Sequence, residues 1–112
     1  MGCYTFEMGY LKLTFLGTGT SQGVPVIGCP CEVCHSKDYK DKRLRTSALI
    51  VSDKGTQLTI DAGPDFREQM LREDVKYLDA ILVTHSHRDH IGGLDDVRSY
   101  NYLQKSSMPV LC

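Results

Sequence analysis

Three imidazoles and a carboxylate stand within six consecutive residues, His85-Ser86-His87-Arg88-Asp89-His90. Neutral imidazole and carboxylate are ligands of zinc and related divalent cations. His85 and His87, two residues apart, can converge on one ion from an extended or looped segment. Asp89 and His90 are adjacent and turn more naturally toward a second ion nearby. The spacing therefore predicts the nucleus of a two-metal site. Paired cations lower the pKa of a shared water and stabilise charge on the attacked centre and on the leaving oxygen. A single histidine would read as a surface residue. Three of the chain's four histidines gathered round an aspartate point instead to a hydrolytic metal centre.

Cys29-Pro30-Cys31-Glu32-Val33-Cys34 is a second constellation. Three thiolates at this spacing in one tight loop are a good start for a closed tetrahedral zinc site. His35 is adjacent to Cys34 and poorly placed to share its ion, so the fourth ligand is Cys3 or a residue beyond position 112. The competing reading is of free thiols. Gly17, Gly19 and Gly23 invite comparison with a dinucleotide loop, but Gln22 occupies the place of the third glycine and Val24-Pro25 starts no helix. They read as a tight loop allowing close backbone approach. The charged run from Lys37 to Arg45 reads as a solvated face, with a role in holding substrate phosphate as the alternative.

These residues need elements to carry them. Leu11–Leu16 alternates as a strand does, and Ser47–Ser52 and Gln57–Ile60 read as a hairpin across Asp53-Lys54-Gly55. Pro64 suits the first turn of a helix running to about Arg72, with Phe66, Met70 and Leu71 facing inward. Leu78–Thr84 is the strand that feeds the histidines. Leu94–Gln104 reads as helical, and Pro109–Cys112 begins another strand. Residues 1–10 read as a leader or a short edge strand. The order β, ββ, α, β, α, β indicates a mixed α/β protein with at least one βαβ unit. Residues 1–112 read as a single domain that stops inside an apolar strand, with 24–45 as a cysteine-containing insertion loop.

Composition narrows the function classes. The 112 residues are 41% hydrophobic and 24% charged, with a net charge of −1 and a pI near 6.4. No global positive field would attract nucleic acid or a membrane surface. No apolar run approaches the roughly 20 residues of a membrane span. Met1-Gly2-Cys3 lacks the pattern of a signal peptide, and Phe6 departs from the myristoylation pattern. Clustered cysteines without a secretion signal predict metal binding in the reducing cytoplasm.

Thr84–His90 with its trailing Ile91-Gly92-Gly93-Leu94 resembles the signature of the metallo-β-lactamase superfamily. Leu16–Ser21 and Thr59–Gly63 are similar to two further landmarks, in the expected order. The resemblance extends from Leu11 onward and implies an α/β (α+β) fold, the first half of an αββα sandwich with a mixed sheet and the metals at one edge. It implies His85 and His87 as ligands of a first metal, and Asp89 and His90 as ligands of a second. Asp89 would also orient a metal-bridged hydroxide, and Asp61 would be a carboxylate beside the ligands, orienting an imidazole. Residues 24–34 resemble the cysteine loop of the branch that includes the phosphoribosyl cyclic phosphodiesterase of phosphonate breakdown, where the loop is similar to a structural zinc site.

The resemblance thus implies a phosphodiesterase for a small cyclic phosphate or nucleotide-like ester. It would hold two catalytic zinc ions, with manganese as the alternative, and an additional structural zinc. Other members' chemistry, on a thioester, a lactone or a tRNA 3′ end, stays open, as does a non-catalytic zinc-stabilised module. Family members place further His and Asp ligands, one of them metal-bridging, in a second half. No histidine follows His90, and Asp95 and Asp96 come too soon. The expectation is the N-terminal half of a longer enzyme, weak or inactive alone. The expected partner is a small phosphate ester, with no membrane and no nucleic acid; a homodimer stays open.

Overall fold

The computed structural model describes residues 9–112. The expectations for the first residues, and Cys3 as a zinc ligand, lie outside the described range. Five strands form one sheet in chain order: β1 (Leu11–Gly17), β2 (Ser47–Ser52), β3 (Gln57–Ile60), β4 (Ala80–Leu82) and β5 (Val110–Leu111). β1, β2 and β3 pair antiparallel, whereas β3, β4 and β5 pair parallel. Parallel neighbours need crossovers. The first carries helix α2 (Phe66–Arg72); the second carries the one-turn α3 (Arg88–Ile91), a 3-10 turn (Leu94–Val97) and α4 (Arg98–Gln104). The loop between β1 and β2 holds α1 (Glu32–His35) and a 3-10 turn (Tyr39–Asp41). No helix of the described residues is long and apolar enough to cross a membrane.

The core lies between the sheet and the two crossover helices. Leu49 and Ile81 point to that face, and Phe66 and Met70 of α2 and Tyr100 of α4 close over them. Phe66 meets Tyr100 edge to face, with centroids 6.3 Å apart. Helix α2 turns inward Phe66, Gln69 and Met70, whereas Leu71 is 63% exposed, contrary to expectation. Positions i, i+3 and i+4 share a helix face, and i+5 lies off it. Gln69 takes the inward place because its amide donates to the Arg45 carbonyl at 2.9 Å. Pro64 precedes the helix rather than opening it: Asp65 is the N-cap, with no side-chain cap bond, because its carboxylate is engaged by Arg45.

Strand β4 is shorter than the expected Leu78–Thr84. Both backbone groups of Leu78 bond the Gln104 side chain, at 2.9 and 3.0 Å, and the Thr84 amide turns to Asp61. Leu94–Gln104 opens as a 3-10 turn before becoming α-helical. The expected hairpin forms with Ala48 opposite Ile60 and Ile50 opposite Leu58.

The opposite sheet face is also apolar. Cross-strand partners share a face, which aligns Phe15, Ala48, Ile60, Leu82 and Leu111 across all five strands. At the β1 edge Leu11, Leu13 and Phe15 are 72%, 52% and 68% exposed. A second sheet would pack here in an αββα sandwich.

The two faces predict opposite mutational behaviour in the 112-residue chain. Phe66→Ala should cost about 3–5 kcal/mol in urea unfolding. Phe15→Ser should change stability by less than about 0.5 kcal/mol and reduce self-association in sedimentation velocity, since exposed apolar patches drive association. Equal losses for the two variants would contradict the layer assignment.

Candidate metal centre

The parallel pairing of β3 with β4 sets Ile60 beside Leu82. Asp61 and the segment leading to Thr84 therefore emerge together at the carboxyl edge of the sheet, where α/β folds place ligands. The Asp61 amide donates to the Leu82 carbonyl at 2.7 Å. Its backbone is left-handed, with φ of 66°, a region that Asp tolerates better than most residues. This turn sends the carboxylate across to β4, where it accepts the Thr84 amide at 2.8 Å and the Thr84 hydroxyl at 2.8 Å. Asp61 is only 3% exposed.

The same carboxylate reaches His90, whose Nδ1 lies 2.6 Å from Oδ2. Backbone bonds hold the histidine segment against the Asp61 turn: Ala62 donates to the His90 carbonyl and Gly93 to the Ala62 carbonyl. A Cβ at Gly63 would overlap the Asp89 carbonyl oxygen, and one at Gly93 would overlap the Gly63 carbonyl oxygen. Both glycines are required by close backbone approach.

The network assigns the imidazole tautomers. Burial raises the Asp61 pKa, but the hydrogen bonds from the Thr84 amide, His90 and the Thr84 hydroxyl outweigh it. The net effect holds the carboxyl below its ordinary value. An ionised Asp61 only accepts, so His90 donates from Nδ1 and leaves Nε2 for a ligand role. The Thr84 hydroxyl donates to Asp61, so its contact of 2.9 Å with His85 Nδ1 makes that nitrogen the donor. His85 Nε2 is thereby left as the basic nitrogen. A carboxylate behind a ligating histidine is the usual support of a metal-binding imidazole.

The rings gather tightly. The His85 centroid lies 4.0 Å from His90 and 4.6 Å from His87. His90 Nε2 is 3.0 Å from Asp89 Oδ2. Two donors at that separation fit one cation bound at about 2.1 Å from each. The donor chemistry of His85, His87, Asp89 and His90 thus fits divalent metal. Among the described residues, the one group of three or more whose donor atoms all lie within 4.8 Å of one another is Cys29, Cys31 and Cys34.

That cysteine loop is ordered by its own sulfurs. Cys31 caps α1 by accepting the Cys34 amide at 3.4 Å, and Cys34 accepts the Val26 amide at 3.4 Å. The Cys34 amide, with help from Cys29 and Cys34 side chains, lowers the Cys31 thiol to about 7. For Cys34 the Val26 amide acts downward, but Cys29, burial and Cys31 together push the thiol up. Three thiols with converging sulfurs suit zinc, which needs thiolate ligands. His35 Nδ1 lies 3.2 Å from the Cys31 carbonyl, directed at backbone and absent from the sulfur group.

Two residues escaped the reading of the sequence as parts of this centre. Thr84 bridges Asp61 and His85; its place between a strand and the first histidine is the available signal. Arg45 pairs with Asp65 at 2.9 Å, bringing the charged run to the rim of the site. Arg45 and Asp89, with Ser21, Pro64 and Arg88, line a cavity of about 300 Å³. A larger apolar hollow of about 620 Å³ along α4 shares no residue with the histidine cluster.

Three predictions follow from the hydrogen-bond pattern. Asp61→Asn should weaken zinc binding about 10–100-fold, read by competition with a chromogenic chelator. A carboxylate with a lowered folded pKa stabilises above its unfolded value, about 3.9, and loses that effect as pH falls through the folded value. In metal-free protein the stability gap between wild type and Asp61→Asn should therefore be constant above about pH 5 and close in stronger acid. In zinc-free protein Cys31 should be alkylated by iodoacetamide before Cys34, with a rate midpoint near pH 7, and zinc should protect it.

Known proteins match this arrangement. Residues 33–112 match the family model described as Anti-Pycsar protein Apyc1. The chain is 54% identical over 89 residues to an octanoyltransferase of Porphyromonas gingivalis, covering 80% of this chain and 18% of that protein. A solved structure described as a new diphosphatase from the PhnP family superposes with a TM-score of 0.84 at 51% identity, over 90% of this chain and 41% of that one. Zinc-bound PqqB from Methylobacterium extorquens superposes with a TM-score of 0.68 at 26% identity, over 81% and 36%. The chain thus spans well under half the length of these relatives. It belongs to the Anti-Pycsar Apyc1 family and, with its PhnP-family and PqqB relatives, to the metallo-β-lactamase superfamily.

Proposed function

We propose that this chain carries the metal-binding edge of a hydrolase that cleaves a P–O bond in a small phosphodiester or diphosphate. The observation that carries the reading is the partly buried Asp61–His90 bond, which turns His90 Nε2 to within 3.0 Å of Asp89 Oδ2. The diphosphatase description of the 51%-identical structure supports phosphorus as the attacked centre. The octanoyltransferase name is not carried over, because this chain covers only 18% of that protein.

His85 and His87 would hold one divalent cation, and Asp89 with His90 a second, with zinc supported by the PqqB neighbour and manganese as the alternative. When bound, such cations lower the pKa of a nearby water and neutralise charge building at phosphorus. Asp61 fixes the His90 ring, and the Thr84 hydroxyl fixes the His85 ring. Asp89 lines the 300 Å³ cavity, so its carboxylate would help hold a cation there and orient the water that cation activates. Because the relatives are more than twice as long, the remaining ligands belong to sequence outside these 112 residues. This segment alone would be weak or inactive.

A second reading, a zinc-stabilised module without catalysis, draws on the compact cysteine triad. Assay of the full-length protein with zinc or manganese on bis(p-nitrophenyl) phosphate separates the two. Wild type should turn over, and His87→Ala should lose at least about 100-fold, the scale of removing a catalytic group. Equal rates would sink the hydrolase reading. Elemental analysis should show zinc lost from separate sites in Cys31→Ser and His87→Ala.

A further inference from the structure

Arg88 stands inside the histidine motif yet has no role in it. Its guanidinium enters none of the ion pairs among the described residues. Its stem lies over Gly92, where an added Cβ would come 3.4 Å from Arg88 Cγ. Across the 300 Å³ cavity stands Arg45, held differently. Asp65 receives its backbone amide at 2.8 Å and its Nη1 at 2.9 Å, and the Ser21 carbonyl receives its Nε at 2.8 Å. The remaining Nη2 donors have no partner among the described residues. The cavity volume is at the lower end of small-ligand sites.

The charges in this cavity are asymmetric. Arg45 is neutralised by Asp65, so it offers directed donors and little net charge. Arg88 offers net charge. Asp89, in the same lining, opposes an anion until a cation engages it. The cavity therefore becomes anion-selective when the centre next to it is loaded. Guanidinium forks match phosphate oxygens in geometry and charge. Asp89 and Arg88 line the same cavity, so a substrate with two phosphoryl groups that engages the centre beside Asp89 shares that cavity with Arg88.

We propose that Arg88, backed by the clamped Arg45, forms a subsite for the second phosphoryl group of a diphosphate-type substrate. The proposal rests on the hydrolase reading for its substrate but not for its test. Titration calorimetry of the zinc-loaded full-length protein with adenosine diphosphate and adenosine monophosphate reads it directly. Wild type should bind the diphosphate about ten-fold more tightly, the scale of one charge-assisted hydrogen-bonded contact. Arg88→Ala should abolish that preference by weakening the diphosphate alone, and Arg88→Lys, which keeps the charge but loses the fork, should fall between. Equal zinc content in all three proteins separates this from misfolding. A preference that persists in Arg88→Ala, an equal loss for both nucleotides, or no preference in wild type overturns the subsite. Failure of the bis(p-nitrophenyl) phosphate assay with an Arg88-dependent preference intact would instead overturn the hydrolase reading.

Discussion

The Asp61 carboxylate is the junction through which the centre is built. It accepts from the Thr84 amide, the Thr84 hydroxyl and His90 Nδ1, and so ties the end of β3 to the end of β4 and to α3. A buried carboxylate is unfavourable unless its lone pairs are met. Here three donors meet them, and the result is a lowered pKa despite burial. The left-handed backbone at Asp61 costs about 1–2 kcal/mol for a residue with a Cβ. That conformation is what aims the side chain sideways along the sheet edge.

Close backbone approach completes the constraint. Gly63 and Gly93 let the Asp61 turn and the histidine segment touch main chain to main chain, and Gly93 and Ala62 share a hydrogen bond. The His85 and His90 rings are therefore positioned from behind by the sheet edge, although the histidine segment is largely open to solvent. The same economy holds in the cysteine loop. There, Cys31 and Cys34 accept amides of Cys34 and Val26, so the sulfurs shape the loop that presents them.

Much of the architecture was legible because periodicity reports which residues share a face. Alternation marked β1, the two runs flanking Asp53-Lys54-Gly55 marked β2 and β3, and the β4 run announced the strand before the histidines. The misreadings have identifiable causes. Leu71 looked like core because it is apolar, but helical geometry gave its place to Gln69, a polar residue whose side-chain amide donates to the Arg45 carbonyl. β4 looked longer because Leu78 and Thr84 are apolar and β-branched, yet their backbone groups are taken by Gln104 and Asp61 side chains. Hydrophobic pattern carries no information about such side-chain competitors.

By itself, the sequence determined the chemical type of this protein. Histidine, aspartate and cysteine spacing limits the available ligands, and that limit is local and readable along the chain. The tertiary structure decided which partners those ligands have. Asp61 and His90 are 29 residues apart, and Arg45 and Asp65 are 20; each pair meets only because β3 lies parallel to β4 and α2 packs back on the sheet. Those meetings depend on strand pairing and on two glycine contacts, which are properties of the folded surface and not of any segment alone.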